Sequence, residues 1–211
     1  MNLTNYEVMR NQMREEFVKY DQEAMIDKFT LKNDETYLYI MFVSRNYRIH
    51  RQNGVVEWSE DGFTTCVEAG YNESMTIYDM LCYSKAGCRL SGRFVPISML
   101  KGIVHTSTDS LNSLFQRSAD GFSGKTKALE SACGVLGKPA DIGGDVAAIL
   151  YPFAFLPVTL QYWDADDEFP ANLKFMTDEN ILDFIHYETI FLMMGHIISR
   201  LDEIMNCQAN L

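Results

Sequence analysis

The 211-residue chain is 47% hydrophobic and 12% aromatic, which provides for a sizeable core and is not the composition of a disordered chain. Its 18 basic and 29 acidic residues give a formal net charge of −11 at pH 7. A surface this negative repels phosphate backbones and anionic lipid surfaces, so neither nucleic acid nor a membrane is an expected partner. The five cysteines form no C-x-x-C pair, which argues against a zinc ribbon or an iron–sulfur site and favours a reduced, cytoplasmic location.

The N-terminal part of the chain has a helical pattern over residues 6–29. Apolar residues recur there at steps of three and four, and Asp21 is placed to cap a second helix within the segment. The pattern then becomes that of strands. The runs 36–43 and 47–49 predict a hairpin, and Asn53-Gly54 predicts a turn into a third strand. The expected product is an antiparallel meander.

The rest of the chain alternates between helices and short strands. The predicted elements are a helix after Asn72, a short strand at 93–97, helices at 111–117 and 125–136, two apolar strands after the Gly-Gly-Asp turn at 143–145, and a helix at 187–205. Within the first of these helices, Thr76 and Asp79 have the three-residue spacing of a capping box. On the last helix, which is amphipathic, His196 shares a polar face with Arg200 and Glu203, and this predicts solvated side chains.

Together these elements predict an α+β fold with a largely antiparallel sheet, helices packed on it and a long C-terminal amphipathic helix. No repeat, low-complexity tract or change of composition marks a linker. One domain over 1–211 is therefore expected, with the N-terminal helical segment 1–30 packed on it. The most apolar region is interrupted by Pro152 and Pro157, which is typical of buried sheet and not of a membrane span.

One segment matches a known nucleotide-binding motif in its residue pattern but not in its context. The segment SADGFSGKT satisfies the relaxed phosphate-loop pattern through Ala119, Gly124, Lys125 and Thr126. A phosphate loop must follow a buried parallel strand, whereas the residues before this segment are polar and helically patterned. We therefore expect an ordinary loop. The four histidines have none of the spacings of metal ligands or general bases.

The most unusual stretch, YWDADDEFPA, carries four carboxylates within five positions. They are Asp164, Asp166, Asp167 and Glu168. Acidic residues at this density bind a hard cation, take part in acid–base chemistry, or are solvent-exposed side chains of a turn. A calcium loop needs acids over a longer span, with a glycine and a terminal glutamate, and the following Phe-Pro ends this run too soon. Strand patterns on both sides place the acids on a connection between two strands, so a solvated turn and no metal site are expected.

A longer pattern surrounds the acid stretch. It comprises Pro152, Phe153, Pro157, Trp163, the run Asp167-Glu168-Phe169-Pro170-Ala171, and Asp178, with upstream pieces at Ser44-Arg45-Asn46-Tyr47, Leu90-Ser91-Gly92-Arg93 and Gly143-Gly144-Asp145. These segments resemble the domain of unknown function 3786 family over nearly the whole chain. The resemblance implies a family of anaerobic bacteria and archaea without an assigned activity. Some relatives carry a cysteine-rich iron–sulfur module, but this chain lacks that cysteine run. The resemblance therefore implies no iron–sulfur cluster for this chain, and its cofactor, if it has one, is unknown.

The resemblance implies that the inner part of the turn has a role. In a structural interpretation, Asp167 or Glu168 caps backbone amides of the turn. Trp163 and Phe169 then pack beneath the turn, and Pro170 fixes the backbone conformation where the chain leaves it. In a functional interpretation, the tryptophan and the two acids line a pocket. We favour the structural interpretation, because aromatic residues beside turn acids more often stabilise than bind. The two outer acids of the stretch are then surface charges.

Three functions remain open. The first is a non-catalytic binding or accessory module for a cofactor or metalloprotein system, with Arg45, Tyr47 and Asp145 joining the turn as the candidate surface. The second is an enzyme that uses Asp167 or Glu168 as a general base beside the tryptophan. The third is a protein–protein adaptor that uses the exposed side of the C-terminal helix. We prefer the first, with a protein or a small ligand as partner; the sequence defines neither substrate, reaction nor oligomeric state.

Overall fold

A computed structural model of the chain describes residues 4–101 and 115–209. Its helices are α1 (Asn5–Phe17), α2 (Gln22–Phe29), α3 (Tyr71–Tyr83), α4 (Gln116–Phe122), α5 (Thr126–Leu136) and α6 (Tyr187–Ala209). Its strands are β1 (Lys32–Asn33), β2 (Tyr37–Phe42), β3 (Arg45–His50), β4 (Val56–Ser59), β5 (Val67–Glu68), β6 (Phe94–Pro96), β7 (Gly137–Pro139), β8 (Val146–Phe153), β9 (Leu156–Trp163) and β10 (Asn172–Asp178). The chain divides into two compact units, Met1–Arg89 with Leu182–His196, and Leu90–Ile181 with Ile197–Leu211.

The first unit contains an antiparallel sheet in the order β1-β2-β3-β4-β5. Its centre is the predicted hairpin, in which Phe42 pairs with Arg45. The two residues between them, Val43 and Ser44, form the turn with φ of 47° and 55°. Both values are positive because a two-residue turn must match the right-handed twist of the strands. Gly54, with φ of 71°, forms the next turn. The predicted meander is confirmed.

The N-terminal helices of the first unit divide where the sequence predicts. The Asp21 side chain caps α2. α1 is attached through Arg10 and Arg14, which both form ion pairs with Glu68 in β5. Phe17, at the end of α1, is fully buried. Ion pairs and one buried ring thus hold a helix that is otherwise largely exposed.

Helix α3 begins earlier than the capping-box spacing predicts. It starts directly after Gly70, whose N–H donates to the Glu73 carboxylate. Thr76 and Asp79 therefore lie inside the helix, where both are buried. The predicted capping box is wrong because a three-residue spacing fits any turn of a helix, and Glu73 selects the actual first turn.

The second unit contains another antiparallel sheet, in the order β6-β10-β9-β8-β7. Its β9–β10 hairpin carries the acid stretch at the turn, with Trp163 opposite Asn172. At the edge of the sheet, β6 places Phe94 opposite Asp178. No turn residue signals this long-range pairing. The sequence predicts a largely antiparallel sheet, and the described residues form two antiparallel sheets.

The predicted C-terminal helix is confirmed as α6, which buries apolar residues along most of its length, among them Ile190, Met194, Ile197 and Leu201. The polar face is solvated at Glu203, as predicted, but not at His196 and Arg200, which are only 7% and 8% exposed. The reason is that α6 is buried around more than one face. A polar side chain on such a helix needs a protein partner in place of water.

The α+β class, the antiparallel pairing and the long C-terminal helix are confirmed. Helix α5 ends before Gly137, as predicted. Most of the helix predicted at 111–117 falls outside the described residues, and α4 begins at Gln116. The assignment of one domain to 1–211 stays a prediction. Within the described ranges, no helix is both long enough and apolar enough to cross a membrane.

Candidate functional site

The acid stretch forms the turn between β9 and β10, and its carboxylates fall into two groups. Asp164 and Asp166 accept backbone N–H groups. Asp167 and Glu168 are exposed, and their carboxylates bond to none of the described residues. The capping role that the sequence suggested for the inner acids therefore belongs to the outer pair, which are more than surface charges.

Asp166 closes the tip of the turn. Its Oδ1 accepts the N–H of Glu168 at 2.8 Å and that of Phe169 at 2.7 Å. Its own N–H donates to the Phe169 carbonyl at 3.0 Å. Phe169 does not pack below the turn, because its side chain is 66% exposed, and Pro170, also exposed, leads into β10. The hydrogen bonds of Asp166 thus fix the backbone of the turn at a residue whose aromatic ring is exposed to water.

Asp164 fixes the base of the turn. Its carboxylate accepts the Gly124 N–H through both oxygens at 3.0 Å and the Ser123 hydroxyl at 2.9 Å. The Tyr162 hydroxyl donates to the same carboxylate at 3.0 Å. The backbone N–H of Asp164 donates to Asp145 at 2.7 Å. The structure thus joins Asp145, one of the residues chosen from the sequence, to the turn.

The phosphate-loop-like segment is the partner of Asp164. Its residues 118–122 lie in α4 and the rest lead into α5, whereas a nucleotide-binding loop runs from a strand to a helix. Gly124 has φ of 73°, and its N–H is directed at the Asp164 carboxylate. Backbone N–H groups before a helix favour an anion, and here the chain's own carboxylate is that anion. The structure agrees with the prediction of an ordinary loop.

The hydrogen bond from Gly124 is the main cause that lowers the pKa of Asp164 below its usual value. Burial opposes this effect, and smaller contributions from Ser123 and Tyr162 add to the lowering. A carboxyl group whose pKa is lowered by folding stabilises the fold above its unfolded pKa, about 3.9. That contribution is lost as the pH falls through the folded pKa. We expect Asp164→Asn to lower the free energy of unfolding by about 1 kcal/mol at neutral pH. The difference from wild type should shrink below about pH 4.

Urea unfolding at neutral pH and near pH 3 measures the Asp164 effect. Asp167→Asn, in the same turn, is the control and should change the free energy of unfolding by less than about 0.5 kcal/mol. A cost for Asp164→Asn that is equal at both pH values would show that the charge of Asp164 has no role.

Trp163 ends β9 half-buried, with Lys174 Nζ 4.9 Å from the centroid of its ring. The functional interpretation of the sequence placed this ring and two acids in one pocket. Asp167 and Glu168 are exposed on the turn. Neither of these two carboxylates is enclosed, and the functional interpretation stays a prediction.

The other two residues chosen from the sequence, Arg45 and Tyr47, lie in the first unit on the inner face of β3. Both are buried. The Arg45 guanidinium carbon lies 3.6 Å from the centroid of the Trp58 ring, and Nη2 donates to Glu60 at 2.9 Å. The flat guanidinium thus combines stacking with an ion pair at the edge of the unit.

Tyr47 is the centre of a buried polar cluster. Its hydroxyl donates to Glu73 at 2.5 Å and lies 3.2 Å from His196 Nε2. The His196 ring stacks on Phe42 with centroids 5.0 Å apart. Burial and the Glu73 charge raise the pKa of Tyr47 far above its usual value, so the hydroxyl stays a donor. The sequence pattern does not reveal Glu73, and it predicts a solvated His196, although a histidine within an apolar helix is a usable signal of a buried role.

Removal of the Tyr47 hydroxyl is expected to cost more than removal of another buried hydroxyl. Tyr78 is also fully buried and donates to the Gly54 carbonyl at 2.6 Å. Because the acceptor of Tyr47 is a carboxylate, we expect Tyr47→Phe to cost about 2 kcal/mol and Tyr78→Phe about 1 kcal/mol. Chemical denaturation of the two variants measures the difference, and equal costs would contradict an ionised Glu73 partner.

Comparisons with known proteins add one finding. A family model described as "Domain of unknown function (DUF3786)" matches residues 21–200. That range contains the acid turn, the Tyr47 cluster and all the candidate residues chosen from the sequence. No curated protein and no solved structure matches the chain.

Proposed function

The chain belongs to the DUF3786 family, and we propose that it is a non-catalytic binding module whose contact surface is the acidic–aromatic turn, residues 164–170. One observation carries the proposal. Phe169 is 66% exposed, and hydrogen bonds of Asp166 hold its backbone in the turn. The family description names no activity, so the proposal depends on this geometry alone.

Preorganisation is the first reason that this turn suits binding. A flexible loop loses conformational entropy when a partner orders it, and that loss reduces affinity. Here Asp166 bonds to the tip and Asp164 bonds to the neighbouring loop before any partner arrives. An exposed aromatic ring on a backbone that is fixed in this way supplies contact area at a low entropic cost.

Charge defines the expected partner. Asp167 and Glu168 directly precede Phe169 in the turn, and both are exposed. The whole chain has a net charge of −11. A matching surface offers an apolar pocket for the ring with lysine or arginine side chains around it. We therefore expect a protein partner with a basic rim.

The two alternative functions have less support. A general base works in a site enclosed enough to hold a substrate, and the inner acids of the turn are exposed. An adaptor surface on α6 needs apolar area, whereas the exposed residues on the described part of that helix are polar apart from one cysteine. They are Glu188, Ser199, Asp202, Glu203, Asn206, Cys207 and Gln208.

Site-specific photo-crosslinking tests the proposal. A photoreactive phenylalanine analogue replaces Phe169 in one sample and Val135 in the other, and both are exposed to an extract of the source cells. Val135 is the matched control because it is 51% exposed on α5 of the same unit. We expect a discrete crosslinked protein from position 169 only. Its yield should fall when Asp167→Asn and Glu168→Gln are added. Equal products at both positions, or none at position 169, contradict the proposal.

A further inference from the structure

A second feature of chemical interest lies in the first unit, at the start of α6. His186 directly precedes that helix, and its side chain is 60% exposed. Its Nδ1 lies 2.6 Å from one oxygen of Asp79, and its backbone N–H donates to the other oxygen at 2.7 Å. Asp79 itself is only 7% exposed. A buried carboxylate thus holds an exposed imidazole at two points.

This geometry fixes which ring nitrogen of His186 carries the proton. A carboxylate accepts hydrogen bonds, so Nδ1 donates and the neutral ring has its lone pair on Nε2. None of the described residues forms a hydrogen bond with Nε2. The Tyr83 ring, with its centroid 5.1 Å from that of the imidazole, packs edge-on against the ring. His186 therefore presents an oriented lone pair to solvent.

The other described histidines differ from His186. His50 Nδ1 accepts the Gln52 N–H at 3.2 Å, so its neutral ring carries the proton on Nε2. His196 is buried, with its Nε2 at the Tyr47 hydroxyl. Among the histidines that the structure describes, His186 alone offers an exposed Nε2 lone pair held by a carboxylate.

The arrangement fits a metal ligand better than a general base. Metal-binding histidines usually donate their second ring N–H to a carboxylate, which orients the ring and makes the ligating nitrogen more basic. A general base uses the same pair but also needs groups that hold a substrate beside it. A ligand needs only an accessible lone pair, and imidazole suits zinc, nickel and copper.

One imidazole supplies one ligand, and a metal ion needs several. Within residues 4–101 and 115–209, no group of three or more His, Cys, Asp and Glu side chains is arranged to hold a metal ion. We propose that His186 binds, through Nε2, a transition-metal complex that brings its remaining ligands and has one exchangeable coordination position. Asp79 is the positioning residue. This proposal is independent of the acidic–aromatic turn, which lies in the other unit.

Copper(II) nitrilotriacetate is the test probe, because it leaves a coordination position free for one imidazole. Titration of the full chain, followed by electron paramagnetic resonance, reports both the affinity and the bound nitrogen. We expect one imidazole site that His186→Gln removes and His50→Gln leaves intact. His186→Gln keeps the backbone N–H that bonds to Asp79. Circular dichroism confirms that each variant is folded.

Asp79→Asn tests the positioning role. We expect it to weaken probe binding by about 10- to 100-fold while the resonance still shows one nitrogen ligand. If this variant fails to fold, the comparison of His186→Gln with His50→Gln still decides the proposal. Binding that survives His186→Gln, or that a folded Asp79→Asn variant retains at wild-type affinity, overturns it. Neither outcome affects the crosslinking expected at position 169.

Discussion

Replacement of Asp178 by alanine is expected to lower the free energy of unfolding by about 3 kcal/mol. The carboxylate is 2% exposed and accepts three backbone N–H groups. The donors are Ser91 at 3.0 Å, Gly92 at 2.8 Å and Asn180 at 2.9 Å. Alanine would leave all three donors without their acceptor, and an unsatisfied buried donor costs more than a hydrogen bond gains.

The hydrogen bonds also determine the charge of Asp178. Burial by itself raises the pKa of this carboxyl group, but the three backbone N–H groups outweigh burial and lower it. Its stabilisation is therefore present at neutral pH and is lost as the pH falls through the lowered pKa. Asp178→Asn keeps one acceptor oxygen but turns an amide N–H₂ toward one donor. Its free energy of unfolding should therefore lie between those of wild type and Asp178→Ala.

The control for Asp178 is Asp183→Ala. Asp183 pairs with Lys85, whose side chain is 68% exposed. A surface pair of this kind contributes about 0.5 kcal/mol. Urea denaturation of the three variants measures the contrast. A cost for Asp178→Ala as small as that for Asp183→Ala would show that the three N–H groups find other acceptors.

Gly137→Ala is expected to be as harmful, by a steric mechanism, and to cost about 3 kcal/mol. A Cβ atom at Gly137 would lie 2.0 Å from the carbonyl oxygen of Ile149 and 2.8 Å from Cα of Leu150. Both are backbone atoms of β8, and Gly137 pairs with Leu150 in the sheet. The strands can separate only by breaking that pairing.

Gly134→Ala is the matched control for Gly137→Ala. Gly134 lies in α5, and a Cβ atom there would meet nothing within 4 Å. Alanine favours the interior of a helix over glycine by about 0.5–1 kcal/mol, so this variant should be more stable than wild type. Thermal denaturation should therefore shift in opposite directions for two glycines only three residues apart. A shift in the same direction would contradict the close approach at Gly137.

The parts of the fold that the sequence predicts are those encoded by neighbouring residues. Asp21 marks the start of α2, Gly54 marks a turn, and Gly137 follows the end of α5. Each acts through its own backbone conformation or through hydrogen bonds within a few positions. The position of β6 at the edge of the second sheet depends on its pairing with β10, and no local pattern encodes that pairing.

The candidate site shows the same limit. The sequence located the turn and its acids, but it could not decide which acid faces the backbone. Asp164 bonds to Gly124, 40 residues away, and Asp79 bonds to His186, 107 residues away. Residue spacing carries no information on such contacts, because they depend on tertiary packing. The Asp178 carboxylate, noted in the sequence only as part of a pattern, has its partners 86 and 87 residues away as well as nearby.

The dissociation constant of the complex with the protein crosslinked through position 169 tests the central claim most directly. It would be measured for wild type, Phe169→Ala and Val135→Ala at low and at physiological salt. We expect Phe169→Ala to weaken binding at least tenfold, about 1.4 kcal/mol, and Val135→Ala to leave it unchanged. Wild-type binding should weaken as salt rises, because the acids beside the ring face a basic rim. Wild-type affinity in Phe169→Ala would contradict a contact surface on the acidic–aromatic turn.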